Sequence, residues 1–318
     1  MTSVTTSFCF GLCLLVGFVS LVGVALLRAE PVTLKMATAT KGGGFELYGN
    51  AAAELVNQTD ASLNIVAENT NGSLENIGLL ADGTYDLGLV QGVAAYEAFA
   101  GIGQAPVDLK VIAAIYSSPG MFVVKADSPA ATVRDLVGRP VAWGTATSGL
   151  TLMARYIMDG LGLERDKNFK PTFLDKAGNG PPLVLNGEVD AFWGAGIGWP
   201  GFTRVMSAGG RFIGFSDAEV AQVTAKHPFL QGMVVPAGSY TGQPEPVQAI
   251  GVWSFILART DLPDDVGYRL AKALHAAQPK LAERLPQARE TTPQNTQRAA
   301  EATHIHPGVR RYLRELGL

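Results

Sequence analysis

Cysteine is almost absent from this chain of 318 residues, because its only two, Cys9 and Cys13, lie inside the first apolar run. Beyond that run neither a disulfide framework nor thiolate chemistry is available. An excess of basic charge is also missing, since 25 Lys and Arg residues stand against 28 Asp and Glu residues. A nucleic-acid partner, which requires a basic surface, is therefore not expected.

The motifs of common catalytic centres are missing too. The sequence contains no His-Glu-x-x-His pair, no Gly-x-x-x-x-Gly-Lys phosphate loop and no Gly-x-Ser-x-Gly nucleophile turn. His304 and His306 are two residues apart, but no third metal ligand stands at a useful spacing. We therefore expect a protein that is not an enzyme, with no cofactor and no metal site.

One long run, Phe8 to Leu27, is apolar and free of charge. Such a run before a globular sequence is typical of an export signal or a membrane anchor. Residues 1–7 lack Lys and Arg, and the run is longer than the usual signal core of about 7 to 15 residues, so the alternative of a retained anchor stays open beside the favoured cleaved signal. In either case residues 1–29 predict a periplasmic location for the globular part.

The rest of the chain alternates between predicted strands and helices. Val32 to Ala39 and Leu63 to Glu68 are predicted strands that flank a helix from about Phe45 to Asn57, which indicates parallel βαβ connectivity. A similar pattern restarts near Val141. The predicted crossings between two lobes are Met121 to Lys125, separate from a strand at 107–115, and the return strand Ile250 to Ala258. We therefore predict an α/β fold with lobe I at 30–122 plus 250–318 and lobe II at 123–249.

Two landmarks recur at a domain-scale offset. Gly44 and Gly149 follow similar Thr-rich turns about 105 residues apart, and Gly83-Thr-Tyr-Asp and Gly187-Glu-Val-Asp are about 104 residues apart, far longer than a solenoid repeat. This offset supports two similarly built lobes. In the first of them, Ser73 after Gly72 is a predicted N-cap of a short helix, whose free N–H groups suit an anion.

A cleft between two such lobes collects strand ends and helix N-termini from both. It is the predicted site for a small anionic or zwitterionic solute, with hinged closure around it. Gln91 is a predicted hydrogen-bond partner of the solute, whereas Tyr48, Trp193 and Trp199 are open between ligand contact and packing. The candidate ligand-binding residues are Thr40, Gly43, Gly44, Tyr48, Asn71, Gly72, Ser73, Gln91, Thr145, Thr147, Ser148, Gly149 and Trp193.

With these residues in place, the chain resembles a solute receptor of the TAXI class of TRAP transporters, the tripartite ATP-independent periplasmic systems. The resemblance rests on Asn-Thr-Asn-Gly-Ser-Leu-Glu-Asn at 69–76, Gly-Thr-Tyr-Asp-Leu-Gly-Leu-Val-Gln at 83–91 and the ending His-Pro-Gly at 306–308. It implies a two-lobed periplasmic-binding-protein fold, type II-like, with a hinge and an interlobe cleft. It also implies a carboxylate-bearing solute, such as glutamate, another amino acid or an organic acid, and delivery to TRAP membrane permease subunits.

Two other functions remain open from the sequence. The same lobes serve a sensory receptor that presents its ligand to a membrane kinase, and a retained anchor favours that alternative. An enzyme on a similar two-lobed scaffold is less favoured, because a proton-transfer or metal constellation is not visible.

Overall fold

The structure is a computed structural model that describes residues 1–2 and 30–318. The predicted signal or anchor at Phe8 to Leu27 lies outside the described residues. Within the described part, no helix combines the length and apolar character that crossing a membrane requires. Residues Pro31–Leu318 form one compact unit, so the boundaries of the two lobes within it stay a prediction.

Strands and helices alternate along the described chain, as the sequence predicts. The strands are β1 (Val32–Ala37), β2 (Leu63–Glu68), β3 (Leu87–Gln91), β4 (Leu109–Val124), β5 (Pro140–Ala142), β6 (Lys170–Thr172), β7 (Ala191–Ala195), β8 (Arg211–Ile213), β9 (Gln231–Val235) and β10 (Val247–Arg259). The helices are α1 (Gly44–Thr59), α2 (Ser73–Ala81), α3 (Gly92–Ala100), α4 (Gly149–Gly160), α5 (Arg165–Asn168), α6 (Gly180–Leu185), α7 (Pro200–Ser207), α8 (Asp217–Lys226), α9 (Asp264–Arg284), α10 (Pro293–Ala299) and α11 (Pro307–Glu315).

The strands form one ten-stranded sheet in the order β2-β1-β3-β10-β4-β7-β5-β6, with β8 on β4 and β9 on β10. The strands β1, β2 and β3 are parallel to one another, and so are β5, β6 and β7. Between these groups run β4 and β10, which pair antiparallel along most of their length. The sheet thus has a β1–β3 side and a β5–β7 side, joined by the two long strands.

The predicted crossing needs one correction. The separate strands predicted at 107–115 and 121–125 are a single strand, β4, because Tyr116 to Gly120 also pair with β10, from Ser254 to Ile250. Ser117 and Ser118 interrupt the apolar run in the sequence, which hides the continuity. In the structure the Ser118 and Ser254 hydroxyls are hydrogen-bonded at 2.8 Å, so polar side chains are satisfied in the middle of the crossing.

Helix α1 is held against the β1–β3 side by burial of its apolar face. Leu55 and Val56 of α1 belong to the same buried cluster as Met36 of β1 and Leu63 of β2. Since β1 and β2 are in parallel register from Val32 opposite Leu63, the helix between them must begin at the carboxyl end of β1. The packing therefore fixes the first turn of α1 at the edge of the sheet where the cavity lies.

Candidate functional site

A cavity of about 80 Å³ lies where the ends of β1 and β3 meet the loops of the β5–β7 side. A water molecule needs roughly 10 to 15 Å³ on this scale, so the cavity suits a solute of only a few non-hydrogen atoms. Most predicted site residues line it, namely Thr40, Gly43, Gly44, Asn71, Gly72, Ser73, Gln91, Thr145, Ser148 and Gly149. Most of the predicted residues therefore border one cavity, and their role in binding stays a prediction.

Helices α1 and α4 both direct their first turns at the cavity. Gly44 and Phe45 begin α1, and Gly149 and Leu150 begin α4, and all of them line the cavity. Among the described residues, their N–H groups donate to no protein acceptor. Free N–H groups at two converging helix N-termini, each with a partial positive charge, suit an anionic group.

The start of α2 differs from the prediction. The N-cap is Gly72 rather than Ser73, and Gly72 has a φ of 111°, a conformation that favours glycine. Ser73 is the first residue of the helix, and its Oγ accepts a hydrogen bond of 3.1 Å from the Gln91 N–H. The adjacent Leu74 N–H donates to the Thr147 carbonyl, so this donor joins the two sides of the cavity instead of facing it.

Two residues of the cavity lining, Ser148 and Gln91, cap helices with their side chains. The Ser148 Oγ accepts from the Thr151 N–H at the start of α4, and the Gln91 Oε1 accepts from the Val93 N–H at the start of α3. The other end of the Gln91 amide donates to the Met153 sulfur on the opposite side. Both side chains are therefore held in place before a solute binds.

Two sets of contacts close the cavity at its rims. On one rim the Thr40 Oγ1 accepts from the Ala177 N–H at 3.1 Å. On the other the Thr147 Oγ1 donates to the Asn71 carbonyl at 3.0 Å. Each contact joins the β1–β3 side to the β5–β7 side, so the cavity is closed in this structure.

Aromatic side chains form the walls of the cavity. Phe45, Tyr116, Phe192 and Trp199 line it, and the Trp199 ring contacts Phe192 at a centroid distance of 5.1 Å. The Trp199 N–H donates to the Tyr240 hydroxyl, which itself donates to the Gly196 carbonyl. The loop that carries Trp199 is therefore held in place. Of the two tryptophans whose role the sequence did not decide, Trp199 lines the cavity and Trp193 does not.

Sequence reasoning missed the polar groups at the base of the cavity. They are Ser118 on β4, Ser254 on β10, the Tyr116 hydroxyl and the Gln287 amide. Burial raises the pKa of the Tyr116 hydroxyl well above its usual value, so Tyr116 stays protonated and is a hydrogen-bond donor. Ser118 and Ser254 stand inside apolar strands, a pattern that can be recognised in the sequence. Gln287 lies in a short 3₁₀ turn far from the repeated segments, and no sequence pattern marks it.

Three predicted site residues lie outside the cavity lining. Tyr48 is fully buried within the α1 core, where its hydroxyl bonds Thr291 at 3.0 Å. Thr147 is exposed on the rim, and its hydroxyl donates to the Asn71 carbonyl. Trp193 is fully buried, and its Nε1 donates to the Leu150 carbonyl, because β7 turns this side chain beneath α4 instead of into the cavity.

The position of Tyr48 leads to a first prediction. The Thr291 hydroxyl donates to the Ile115 carbonyl and therefore accepts from Tyr48. We expect Tyr48→Phe to lower the free energy of unfolding by about 1 kcal/mol through loss of this hydrogen bond, measured by urea denaturation. Affinity for any small acid that stabilises the unchanged protein in a thermal screen is expected to stay the same.

Tyr116→Phe is the matched control, because the Tyr116 hydroxyl faces the cavity and has no protein partner among the described residues. It is expected to weaken solute binding with little change in stability. A Tyr48→Phe variant with normal stability and reduced affinity would instead show that the Tyr48 hydroxyl contributes to solute binding.

Among residues 30–318, the cavity lining contains no charged side chain. Glu46 and Glu290 neighbour lining residues, but Glu46 accepts from the Gly42 N–H and Glu290 from both the N–H and the hydroxyl of Ser117. The electrostatic character of the cavity therefore comes from backbone N–H groups and neutral side chains. Among the described residues no cluster of His, Cys, Asp and Glu is arranged to hold a metal.

Fold and site together define a class, the α/β proteins with a periplasmic-binding-protein fold and a ligand-sized cavity between two sheet halves. The chain belongs to the NMT1-like family, whose model matches residues 36–317. It is similar to a solved periplasmic transporter, with a TM-score of 0.58, 14% identity and coverage of 90% of this chain and 92% of that one.

Two sulfonate-binding proteins are also similar in structure. The alkanesulfonate-binding protein SsuA of Xanthomonas axonopodis pv. citri, bound to MOPS, has a TM-score of 0.52 at 16% identity over 90% of this chain and 84% of that one. The periplasmic aliphatic sulphonate binding protein SsuA of Escherichia coli has a TM-score of 0.51 at 18% identity over 89% and 83%. At these identities the similarity shows a shared fold.

Proposed function

We propose that this protein is an extracytoplasmic solute-binding receptor that captures a small carboxylate-bearing solute, an amino acid or an organic acid, and delivers it to a TRAP membrane permease. The observation that carries the proposal is the convergence of the α1 and α4 N-termini on one closed cavity. The N–H groups of Gly44, Phe45, Gly149 and Leu150 donate to no acceptor in the described part of the chain, so they offer an oxyanion several donors at once.

The absence of charged side chains from the described lining favours binding without conversion. General acid or base catalysis needs a titratable group within reach of the reacting atoms, and the lining offers only the Tyr116 hydroxyl, which stays protonated. Family membership and the fold of solute-binding proteins support the same choice. TRAP delivery rests on the resemblance of the 69–76 and 83–91 segments to TAXI receptors, and periplasmic location rests on the apolar run at 8–27.

A thermal-shift screen followed by calorimetry tests the proposal. The purified protein is expected to be stabilised by at least one small carboxylate, and mass spectrometry is expected to recover that solute unchanged. Sulfonates belong in the screen as a second oxyanion class, because two proteins of the same fold bind them. Specific turnover that disappears in a cavity variant would instead establish the enzyme alternative.

TRAP delivery is tested in cells. Deleting the gene for this protein and deleting that of a membrane permease encoded beside it are expected to abolish uptake of the same radiolabelled solute. If only expression of target genes responds to the solute while uptake is unchanged, the sensory alternative is supported.

A further inference from the structure

Gln287 lines the cavity with an amide oxygen that is buried and lacks a hydrogen-bond partner in the described structure. The residue as a whole is 8% exposed. A buried amide oxygen without a partner carries an uncompensated desolvation penalty, so a native site that keeps one is expected to satisfy it with something else. The Gln287 amide offers an acceptor and a donor whichever way it is rotated.

The turn that carries Gln287 is firmly held. Its neighbour Ala288 accepts through its carbonyl from the Gln278 amide, and Glu290 accepts from both the N–H and the hydroxyl of Ser117. An added Cβ at Gly198 would lie 3.2 Å from the Gln287 Oε1, which places the amide against the loop before Trp199. Gln287 therefore reaches the β5–β7 side from a rigid support.

The Gln287 amide and the Tyr116 hydroxyl define a second polar region of the cavity. An added Cβ at Gly44 would lie 3.3 Å from the Trp199 ring and 3.4 Å from the Tyr116 hydroxyl, so Tyr116 is close to the loop that Gln287 touches. An added Cβ at Gly149, by contrast, would meet Gln91 and Ser73. Gln287 and Tyr116 thus lie toward the loop before Trp199 and the start of α1, whereas the start of α4 is bordered by Gln91 and Ser73.

The charges of the lining decide what each region accepts. A buried ammonium without a carboxylate partner, or a second carboxylate without a cation, is strongly disfavoured, and the described part of the lining has neither kind of partner. A neutral hydroxyl pays no such cost, and it matches an amide that needs both a donor and an acceptor. One anionic group at the helix N-termini and one neutral polar group at Gln287 match the free N–H donors and the unpartnered amide oxygen.

On this basis, which rests on the proposed function and narrows it, we propose that the solute is a short monocarboxylic acid with a neutral hydroxyl group, and that Gln287 selects for that hydroxyl. Amino acids and dicarboxylic acids of the same size are disfavoured. Gln287 is thus a specificity-determining residue of the receptor.

Calorimetry tests this solute class with three solutes of similar size, lactate, propionate and alanine, and with the larger dicarboxylate succinate. Lactate is expected to bind most tightly, with propionate about threefold to tenfold weaker because it lacks one neutral hydrogen bond. Alanine and succinate are expected to bind more weakly still. Alanine or succinate binding as tightly as lactate, or no binding by any of the four, would overturn the proposal.

Variants at Gln287 test the residue itself. Gln287→Leu is expected to remove the preference for lactate over propionate while propionate affinity is kept. Gln287→Glu keeps the shape of the side chain and adds a carboxylate, so it is expected to weaken the binding of lactate and to strengthen the binding of alanine. Misfolding of the variant cannot produce such a gain in affinity. An unchanged lactate to propionate ratio in both variants would refute the role of Gln287, whereas a failure of every carboxylate and sulfonate in the wider screen would refute the proposed function.

Discussion

Gly149→Ala is expected to abolish closure of the cavity and to lower solute affinity by about 100-fold or more. An added Cβ at this position would lie 2.5 Å from the Gln91 Cβ and 2.9 Å from the Ser73 Oγ, distances at which the atoms must separate. Gly149 belongs to α4 and its neighbours to the β1–β3 side, so opening the cleft relieves the clash without unfolding. If the closed form falls to about 1% of molecules, apparent affinity falls by the same factor.

Small-angle scattering measures the opening without any ligand, and calorimetry measures the affinity for the small acid that binds the unchanged protein best. Gly78→Ala in α2 is the matched control, because an added Cβ there meets nothing within 4 Å. It is expected to raise the free energy of unfolding by about 0.5 to 1 kcal/mol and to leave affinity unchanged. Unchanged scattering and affinity in Gly149→Ala would show that the two sides already tolerate the larger residue.

Periodicity and turn residues were sufficient to predict much of the β1–β3 side. The strand predicted at Leu63 to Glu68 is confirmed residue for residue, and α1 begins one residue before the predicted Phe45. These elements have strong local signals, namely alternation in the strand and a glycine turn before an amphipathic helix. The agreement is best where one face of an element is buried and the other is exposed.

Helix α3 is the clearest element without a sequence prediction. Its sequence, Gly-Val-Ala-Ala-Tyr-Glu-Ala-Phe-Ala, is small and apolar on nearly every side, and Val93, Ala94, Ala95 and Ala98 are all buried. A helix buried on most of its surface has little polar face to reveal its period. It was therefore indistinguishable from the apolar strand that precedes it.

The cavity was predictable in part for a different reason. Glycines and hydroxyl residues at strand ends signal helix entries, and these entries do line the cavity. Gln287 and Tyr116 reach it only through pairing over long sequence separations, since Tyr116 lies opposite Ser254 on β10 and the turn of Gln287 is bound to Ser117 by Glu290. No local pattern encodes such contacts. Tyr48 and Trp193 were predicted to line the site but face the core, because the side of its helix or strand on which a residue lies decides which way it faces.

The second large effect is expected from the serines at the two helix entries. Ser73 accepts from the Gln91 N–H, and its own proton has no acceptor among the described residues, so it is free for an oxyanion. Loss of a hydrogen bond to a charged group costs about 1.5 to 3 kcal/mol, and we expect Ser73→Ala to weaken binding of the small acid by about tenfold or more. Ser148→Ala is expected to weaken it less, because the Ser148 Oγ lies 3.0 Å from the Thr151 hydroxyl, which donates to the Thr145 carbonyl and so accepts the Ser148 proton. The double variant is expected to bind more weakly than either single variant, and all three are measured by calorimetry.

The free energy of unfolding distinguishes a loss of solute binding from the loss of a helix cap at Ser148. The Ser148 Oγ caps α4 through the Thr151 N–H, so Ser148→Ala is also expected to lower the free energy of unfolding by about 1 kcal/mol in urea. Ser216→Ala is the control for that loss, because Ser216 caps α8 in the same way and does not line the cavity. It should lose similar stability and keep full affinity. If Ser73→Ala and Ser148→Ala also keep full affinity, Ser148 serves only as the cap of α4 and Ser73 only as the acceptor of the Gln91 N–H. The anion is then held by the backbone N–H groups of α1 and α4.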